Sequence, residues 1–332
     1  IAKFLPNEPV ENDEMEGKLG VINGKTSKAR RIILRNNQIK TRYYAIDKDG
    51  NVTHNNAQLT AAAIENLCDD EFTKNDIELL SCGTSSPDQI MPSHAAMVHG
   101  FLKNGNLEIN SPSGACVSGM NALKYGYFAV KCGATNNAVC TGSERTSSWM
   151  RAEIFEDEVA QLSKVEDNPI LAFNKEFLRW MLSDGAGAVL LESEPNGEHP
   201  LKIEWMESYS YAFELDTCMY AGGEKLEDGG LKPWSEYPSD EWAKNSLFAM
   251  KQDVKLLGAN ILVKGVESMK DAMKKHKWFL NLQEVGNVGA GSIYLMLEEL
   301  FHSGKLKKGD RLFLQVPESA RFAYAYAYLT VC

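Results

Sequence analysis

Two stretches of this chain carry the same order of motifs, and this repeat restricts its fold more than any other feature. The first stretch begins with small residues around Cys116 and continues as a helical pattern to about Val130. A Gly turn at 131–133 follows, and then a strand pattern at 137–141 that ends in Gly142-Ser143-Glu144. A second stretch with this order indicates an internal duplication.

The second stretch lies near the C-terminal end. It begins with the small residues of 285–292 and continues as an apolar helical pattern to Leu300. Gly turns then lead to a strand pattern at 311–316, which ends in Pro317-Glu318-Ser319. Helices that alternate with apolar strands predict an α/β fold with buried sheets.

The duplication predicts two similar halves, residues 1–193 and residues 194–332. The second half is shorter between its long helix and Asn287, where a strand and a polar loop are expected. We therefore expect about 30 to 40 residues near Trp278 and Phe279 to be missing from the sequence. The chain opens on Ile1 without Met, so we also expect its natural start to lie outside the sequence.

Three further patterns make local predictions. Ser183–Ala188 is rich in glycine and predicts a turn that runs into a buried strand. A long apolar periodicity predicts a helix from about Ser246 to Lys275. Near the end, aromatic residues from Phe322 to Tyr328 alternate with alanine, which predicts one face of a strand in a packed core or at a dimer interface.

Composition and charge exclude several classes of protein. The chain is 44% hydrophobic and 24% charged, which is typical of globular domains, and its net charge of −10 argues against binding to a nucleic-acid backbone. No apolar run is long enough for a membrane span, and the cysteine pattern leads us to expect a protein of the reducing cytoplasm. The cysteines are odd in number and widely spaced, which indicates neither a disulfide framework nor a zinc site. They are Cys68, Cys82, Cys116, Cys132, Cys140, Cys218 and Cys332.

Cys116 is the leading candidate for a nucleophile. Small residues flank it on both sides, and a helical pattern follows at once. A thiol at the N-terminus of a helix faces the positive end of the helix dipole, which favours the thiolate. We therefore expect a reactive Cys116, whereas Cys68 and Cys140 fit inside apolar faces.

Several motifs together resemble the thiolase superfamily, and within it the β-ketoacyl-acyl-carrier-protein synthase III group. The resemblance covers nearly the whole chain. Its motifs are Phe4-Leu5-Pro6, Ile39-Lys40-Thr41-Arg42, Gly83–Asp88, the Cys116 segment, Ser183–Ala188 and Gly286-Asn287. The resemblance implies a thiolase-like fold in α-β-α-β-α layers, a homodimer, and acyl thioester substrates carried on coenzyme A or an acyl carrier protein. It implies no metal and no bound cofactor.

The family uses a Cys-His-Asn triad. Cys116 matches the cysteine that takes the acyl group as a thioester, and its backbone N–H helps to form the oxyanion hole. Asn287 matches the asparagine that binds the thioester oxygen of the extender and stabilises the enolate. Gly286 and Ser319 match supporting positions in the neighbouring loops.

The histidine of the triad has no match at the expected position. The six histidines are His54, His94, His99, His199, His276 and His302. His276 ends a lysine-rich helical stretch and is interpreted as a solvated charge. His94 and His99 follow the Pro92-Ser93 loop, and a catalytic role for either is the minor alternative. We expect the catalytic histidine in the missing segment near Trp278.

The C-terminal loop departs from the family, which has a glycine-rich run where this chain has Pro317–Phe322. Two interpretations stay open: Glu318 and Arg321 form a structural ion pair, or Glu318 is an accessory acid or base. The loop, with Asn37–Tyr44, resembles the ketosynthases that form dialkylresorcinol precursors by condensation and ring closure.

Four functions remain open on the sequence. They are a ring-forming ketosynthase, a synthase III that initiates fatty-acid synthesis, a thiolase-fold acyltransferase that makes esters or amides, and a non-catalytic partner subunit. The Cys116 segment counts against the last of these. The glycines at Asp184–Gly187 lack the strand-turn-helix context of a nucleotide-binding loop.

Overall fold

A computed structural model describes residues 1–24, 26–27, 29–155, 176–197, 199–269 and 281–332. The helices in these ranges are α1 (Met15–Leu19), α2 (Arg30–Asn37), α3 (Asn56–Glu65), α4 (His94–Leu102), α5 (Val117–Lys131), α6 (Val254–Met269), α7 (Leu282–Val285) and α8 (Ser292–His302). The strands are β1 (Ala2–Phe4), β2 (Val10–Glu11), β3 (Thr41–Arg42), β4 (Leu79–Thr84), β5 (Glu108–Asn110), β6 (Asn137–Glu144), β7 (Gly185–Glu192), β8 (Leu201–Ser210), β9 (Met219–Tyr220), β10 (Gly223–Lys225), β11 (Leu231–Pro233), β12 (Lys251–Gln252), β13 (Arg311–Glu318) and β14 (Ala323–Val331).

The first sheet has five strands in the order β1-β7-β6-β4-β5. β4 runs parallel to β5 and β6, while β7 runs antiparallel to β6 and β1. The prediction of a turn at the glycine-rich run is wrong in part, because Gly185 already belongs to β7. Its small residues suit a strand that is crowded on one face, since a Cβ at Gly187 would overlap the side chain of Tyr294.

The second sheet is antiparallel, in the order β13-β14-β8. The strand predicted from the alternation of aromatic residues with alanine is confirmed as β14, and its two faces have different surroundings. Ala325 and Ala327 pack in the core between the sheets, whereas Tyr324 and Tyr326 lie on the opposite face. There the Tyr324 hydroxyl donates to the carbonyl of Ile261 in α6 at 2.8 Å. The aromatic stripe is therefore a packed core.

The layers follow the predicted α-β-α-β-α arrangement. Helices α3 and α4 cover one face of the first sheet, and α5 and α8 lie between the two sheets. Helix α6 covers the outer face of the second sheet. The central core includes Met120 and Leu123 of α5, Tyr294 of α8, Val189 of the first sheet and Leu314 of the second. This arrangement buries α5 and so places its N-terminus at an interior edge.

The second half differs from the duplicated layout in two ways. Its sheet has three strands in the described residues, where the first has five. The long helix begins only at Val254, because Lys251-Gln252 pairs with Met219-Tyr220 as a strand instead. The end of the predicted helix and the proposed gap near Trp278 lie outside the described residues. The division at residue 193 stays a prediction. Within the described ranges, no helix has the length and apolar character needed to cross a membrane.

Candidate active site

Cys116 immediately precedes α5, at the position that the sequence predicts. Its backbone is already helical, with φ −56° and ψ −30°, and its side chain is half-buried. The Ser118 hydroxyl donates to the carbonyl of Ala115 at 2.7 Å, which closes the first turn around the cysteine. The thiol therefore lies where the free N–H groups of the helix start converge.

The carboxylate of Glu318 occupies this helix start. Its Oε2 accepts hydrogen bonds from the backbone N–H of Val117 at 3.0 Å and of Ala115 at 3.3 Å, on either side of Cys116. Of the two interpretations of Glu318 left open by the sequence, the ion pair with Arg321 is contradicted, since the Arg321 Nε donates to the carbonyl of Leu215 instead. Strand β13 ends at Glu318 and so delivers the carboxylate to a helix about 200 residues earlier in the chain.

The expected thiolate is contradicted by these surroundings. Burial raises the pKa of Cys116 to about 12, and the negative charges of Glu318 and Glu144 add to the increase. Burial also raises the pKa of Glu318, against the opposing effect of its two backbone hydrogen bonds. A carboxylate that already occupies the positive end of a helix cancels the field that would favour a second anion there.

Asn287 lies in the turn before α8, and its amide is oriented by hydrogen bonds. Its Oδ1 accepts from the backbone N–H of Gly289 at 2.9 Å and from the Ser292 hydroxyl at 3.3 Å. Its backbone carbonyl accepts from the N–H of Ser183 at 2.9 Å. Because the oxygen is held inside the turn, the amide NH₂ is the end of the side chain that faces away from it.

Gly286 is required by the geometry of this turn. Its φ of +73° lies in the left-handed region, and a Cβ there would come within 2.9 Å of the Ser183 Cβ and 3.0 Å of the Arg42 Cγ. A larger residue would therefore strain the backbone and push the turn away from β7. Gly286 supports the position of Asn287 by allowing this close approach.

Glu144 also contributes to the site, and its contacts were not predicted from the sequence. It is fully buried at the end of β6. Its Oε1 accepts from the backbone N–H of Ser85 at 3.0 Å and of Ala290 at 3.1 Å, and its Oε2 accepts from the Ser86 hydroxyl at 2.5 Å. One carboxylate thus ties the loop after β4 to the turn that carries Asn287. The signal in the sequence was the repeated glutamate at the ends of β6 and β13.

Two glycines bring the Asn287 turn against the Cys116 helix. A Cβ at Gly119 in α5 or at Gly142 in β6 would overlap the carbonyl oxygen of Ala290. On the same side, the Tyr294 hydroxyl donates to the carbonyl of Gly119 at 2.9 Å. The segments that carry Cys116 and Asn287 are therefore in direct backbone contact.

Comparisons with known proteins show which proteins this chain is similar to. The family model described as 3-oxoacyl-[acyl-carrier-protein (ACP)] synthase III C terminal matches residues 260–316. A β-ketoacyl-[acyl-carrier-protein] synthase III from Campylobacter jejuni is 24% identical, over 95% of this chain and 91% of its own length. One from Clostridioides difficile is 27% identical, over 83% of this chain and 82% of its own. These matches support the resemblance to the synthase III group of the thiolase superfamily.

Solved structures agree on the thiolase fold. A tetronic acid condensing enzyme, AbyA1, matches with a TM-score of 0.72 at 17% identity and covers 99% of this chain and 98% of its own. OleA from Xanthomonas campestris matches with a TM-score of 0.71 at 18% identity and covers 99% and 96%. The synthase III from Aquifex aeolicus gives 0.62 at 20% identity, with coverage of 99% and 97%. At these identities the structural likeness shows the fold alone.

Ser319 lies next to Glu318 in the chain but makes different contacts. Its hydroxyl donates to the Oε1 of Gln252 at 3.1 Å, and Gln252 belongs to β12. Ser319 therefore anchors the C-terminal loop to the pair of strands β9 and β12.

The histidines of the described ranges have other partners. His94 is buried, with its Nε2 at 3.1 Å from the hydroxyls of Thr60 and Ser143, and burial lowers its pKa to about 4. The His99 ring bonds the carbonyl of Gly105 at 3.0 Å. His276 and the proposed neighbouring histidine lie outside the described residues. In the part of the chain that the structure describes, no group of three His, Cys, Asp or Glu side chains suits a metal ion.

Proposed function

We propose that this protein joins two acyl thioesters by Claisen condensation, with Cys116 carrying the first acyl group. The observation that supports this most directly is the backbone contact at Gly119 and Ala290, which brings a cysteine at a helix start against an asparagine turn. Relatives named as β-ketoacyl-[acyl-carrier-protein] synthase III along nearly the whole chain support the same reaction.

The first step is acyl transfer. The Cys116 sulfur attacks the carbonyl carbon of the donor thioester, a new S–acyl bond forms, and the donor's thiol leaves with the proton. The backbone N–H of Cys116, between the two N–H groups that Glu318 binds, is the donor that we assign to the acyl oxygen.

The second step is C–C bond formation. The extender thioester forms an enolate, by decarboxylation or by loss of a proton, and its α-carbon attacks the Cys116-bound acyl group. The Asn287 amide NH₂ donates to the enolate oxygen, and Cys116 leaves as the new bond forms. The histidine that we expect to share this oxygen belongs to the segment near Trp278 and stays a prediction.

Intact-mass spectrometry tests the nucleophile. Incubation with an acyl thioester should add one acyl mass to the protein, and Cys116→Ala should abolish the addition. The matched control is Cys132→Ala, which removes an exposed cysteine and should leave the adduct unchanged. An adduct that persists in Cys116→Ala would contradict the assignment.

The donor and extender are proposed to be carried on coenzyme A or on an acyl carrier protein, with no bound cofactor. Rates measured with the same acyl group on the two carriers would identify the preferred one. Formation of esters or amides, with no C–C bond, would instead favour the acyltransferase alternative. Absence of any adduct would favour a non-catalytic partner subunit.

Ring closure to a cyclohexanedione is the second candidate function. Its support is the Glu318 carboxyl at the start of the Cys116 helix, because burial raises its pKa and a group that titrates nearer neutrality suits acid-base catalysis. A β-ketoacyl thioester and an acyl thioester should then give a cyclic product, and Glu318→Gln should give mainly the open-chain product. An open-chain product from the unaltered protein would contradict ring closure.

We also propose a homodimer that pairs β5 with its copy in a second subunit. β5 is an edge strand, and apolar side chains are exposed around it at Ile109, Tyr125 and Phe128. An unpaired edge with apolar neighbours favours strand addition. Light scattering should report a dimer, and Ile109→Lys should shift it towards monomer; a monomeric parent protein would contradict the proposal.

A further inference from the structure

The glutamates at the ends of β6 and β13 make a crossed pair of contacts. Glu144 ends β6 and accepts the N–H of Ala290, just before α8. Glu318 ends β13 and accepts the N–H groups of Ala115 and Val117, at the start of α5. Each carboxylate therefore reaches from the strand end of one predicted half to the helix start of the other.

The two contacts have different consequences because only one of these helix starts carries a thiol. The N–H groups on either side of Cys116 would stabilise a thiolate if they were free. Both point at Glu318 instead. The charged groups that act on the thiol are Glu318 from β13 and Glu144 from β6, and both are acidic.

We propose that Glu318 is a positioning residue that holds Cys116 as a thiol at rest, and that loss of the Glu318 charge releases the thiolate. When Glu318 is protonated, its repulsion of the sulfur disappears. Its hold on the N–H groups of Ala115 and Val117 weakens at the same time, so the helix start becomes available to the sulfur anion. This inference rests on the proposed role of Cys116, and it adds a mechanism that controls when Cys116 reacts.

The test is the pH dependence of Cys116 alkylation by iodoacetamide, measured by peptide mass spectrometry. In the unaltered protein, the midpoint should lie above the ordinary thiol value of about 8.5. Glu318→Gln keeps the size of the side chain and removes the charge, so it should lower the midpoint by about 1 to 2 units, the usual effect of one nearby charge. A lower pKa raises the fraction of thiolate at pH 7.5 but also makes the thiolate less nucleophilic. The alkylation rate at pH 7.5 should therefore rise by only about 3- to 10-fold.

Two further variants distinguish the effect of the Glu318 charge from the effect of disrupting the structure. Glu318→Asp keeps the charge and should stay near the parent midpoint, whereas Glu299→Gln removes a charge that pairs with Lys3 and should change nothing. Cys82 and Cys140 are fully buried and report on unfolding, because they should stay unmodified in every folded variant.

The proposal has clear opposing results. An unchanged or higher midpoint in folded Glu318→Gln would overturn it. If that variant unfolds, the unaltered protein decides: a Cys116 midpoint below 8.5 would overturn the proposal and one above it would support it. Alkylation needs no acyl substrate, so a failure here is distinct from a failure of the acyl-adduct assay.

Discussion

Gly119→Ala tests whether the contact between the Cys116 helix and the Asn287 turn holds the site together. In an isolated helix this change would be favourable by about 1 kcal/mol, because alanine is the better helix former. Here the new methyl group would overlap the carbonyl oxygen of Ala290 and lie 3.1 Å from its carbonyl carbon. It would also lie 3.2 Å from the Cε2 of Tyr294.

The expected cost follows from what must move. The new methyl group would meet the backbone of Ala290 and the packed ring of Tyr294. Neither is the flexible end of a side chain, so the overlap cannot be relieved by a small side-chain movement. Overpacking of this kind costs about 1 to 3 kcal/mol, and loss of the Tyr294 hydrogen bond to the Gly119 carbonyl adds about 1 kcal/mol. After the helix-propensity gain is subtracted, we expect a net loss of about 1 to 3 kcal/mol in the free energy of unfolding.

Urea unfolding and the condensation rate measure the two consequences. Gly100→Ala is the matched control, because Gly100 also lies in a helix and nothing is within 4 Å of its added Cβ. It should be neutral or stabilising by up to about 1 kcal/mol, with full activity. Gly119→Ala should lower both stability and the C–C bond-forming rate. Equal stability and activity in the two variants would refute the proposed contact.

Three other substitutions follow from the same geometry. Tyr294→Phe should destabilise the protein by about 1 kcal/mol in urea unfolding, because the Gly119 carbonyl loses its buried donor. Asn287→Ala should lower the condensation rate by about 10² to 10³ while acyl transfer to Cys116 persists, as a quenched-flow mass assay would show. Burial lowers the pKa of His94 to about 4, below its unfolded value of about 6.5, so the stability that neutral His94 contributes is complete above pH 6.5 and is lost as the pH falls towards 4. His94→Gln should reduce this loss of stability at low pH by up to about 3 kcal/mol, as melting curves measured at several pH values would show. An unchanged dependence of stability on pH would contradict the prediction.

The sequence predicted the architecture because periodicity and repetition are local properties. The alternation in β14 was sufficient to predict a strand, and the small residues before α5 were sufficient to place Cys116 at a helix start. The layered arrangement was implied by the resemblance to the thiolase superfamily. Gly185 was wrongly given to a turn, because glycine also suits a crowded strand, and a Cβ at Gly185 would lie 2.9 Å from the Cδ2 of Leu5.

The electrostatics of the site could not be read from the same patterns. A thiol at a helix start predicts a thiolate only if no anion already lies there, and Glu318 is about 200 residues away in sequence. An ion pair with Arg321 was one of two interpretations open on the sequence, yet β13 carries the carboxylate to the N–H of Val117 instead. Burial, followed by the charge that β13 brings to the start of α5, therefore raises the pKa of Cys116.

The molecule has one glutamate at the end of β6 and another at the end of β13, and their surroundings differ. Glu144 is fully buried and accepts from two backbone N–H groups and from the Ser86 hydroxyl, so its position is fixed, although burial raises its pKa as it does that of Glu318. Glu318 is half-buried and accepts from two backbone N–H groups. Fewer donors stabilise its anion, so a change in its surroundings, such as the arrival of an acyl chain, alters its charge more readily. Of the two carboxylates, only Glu318 accepts hydrogen bonds from both neighbours of Cys116, so a change in its charge acts directly on the helix start that carries the thiol.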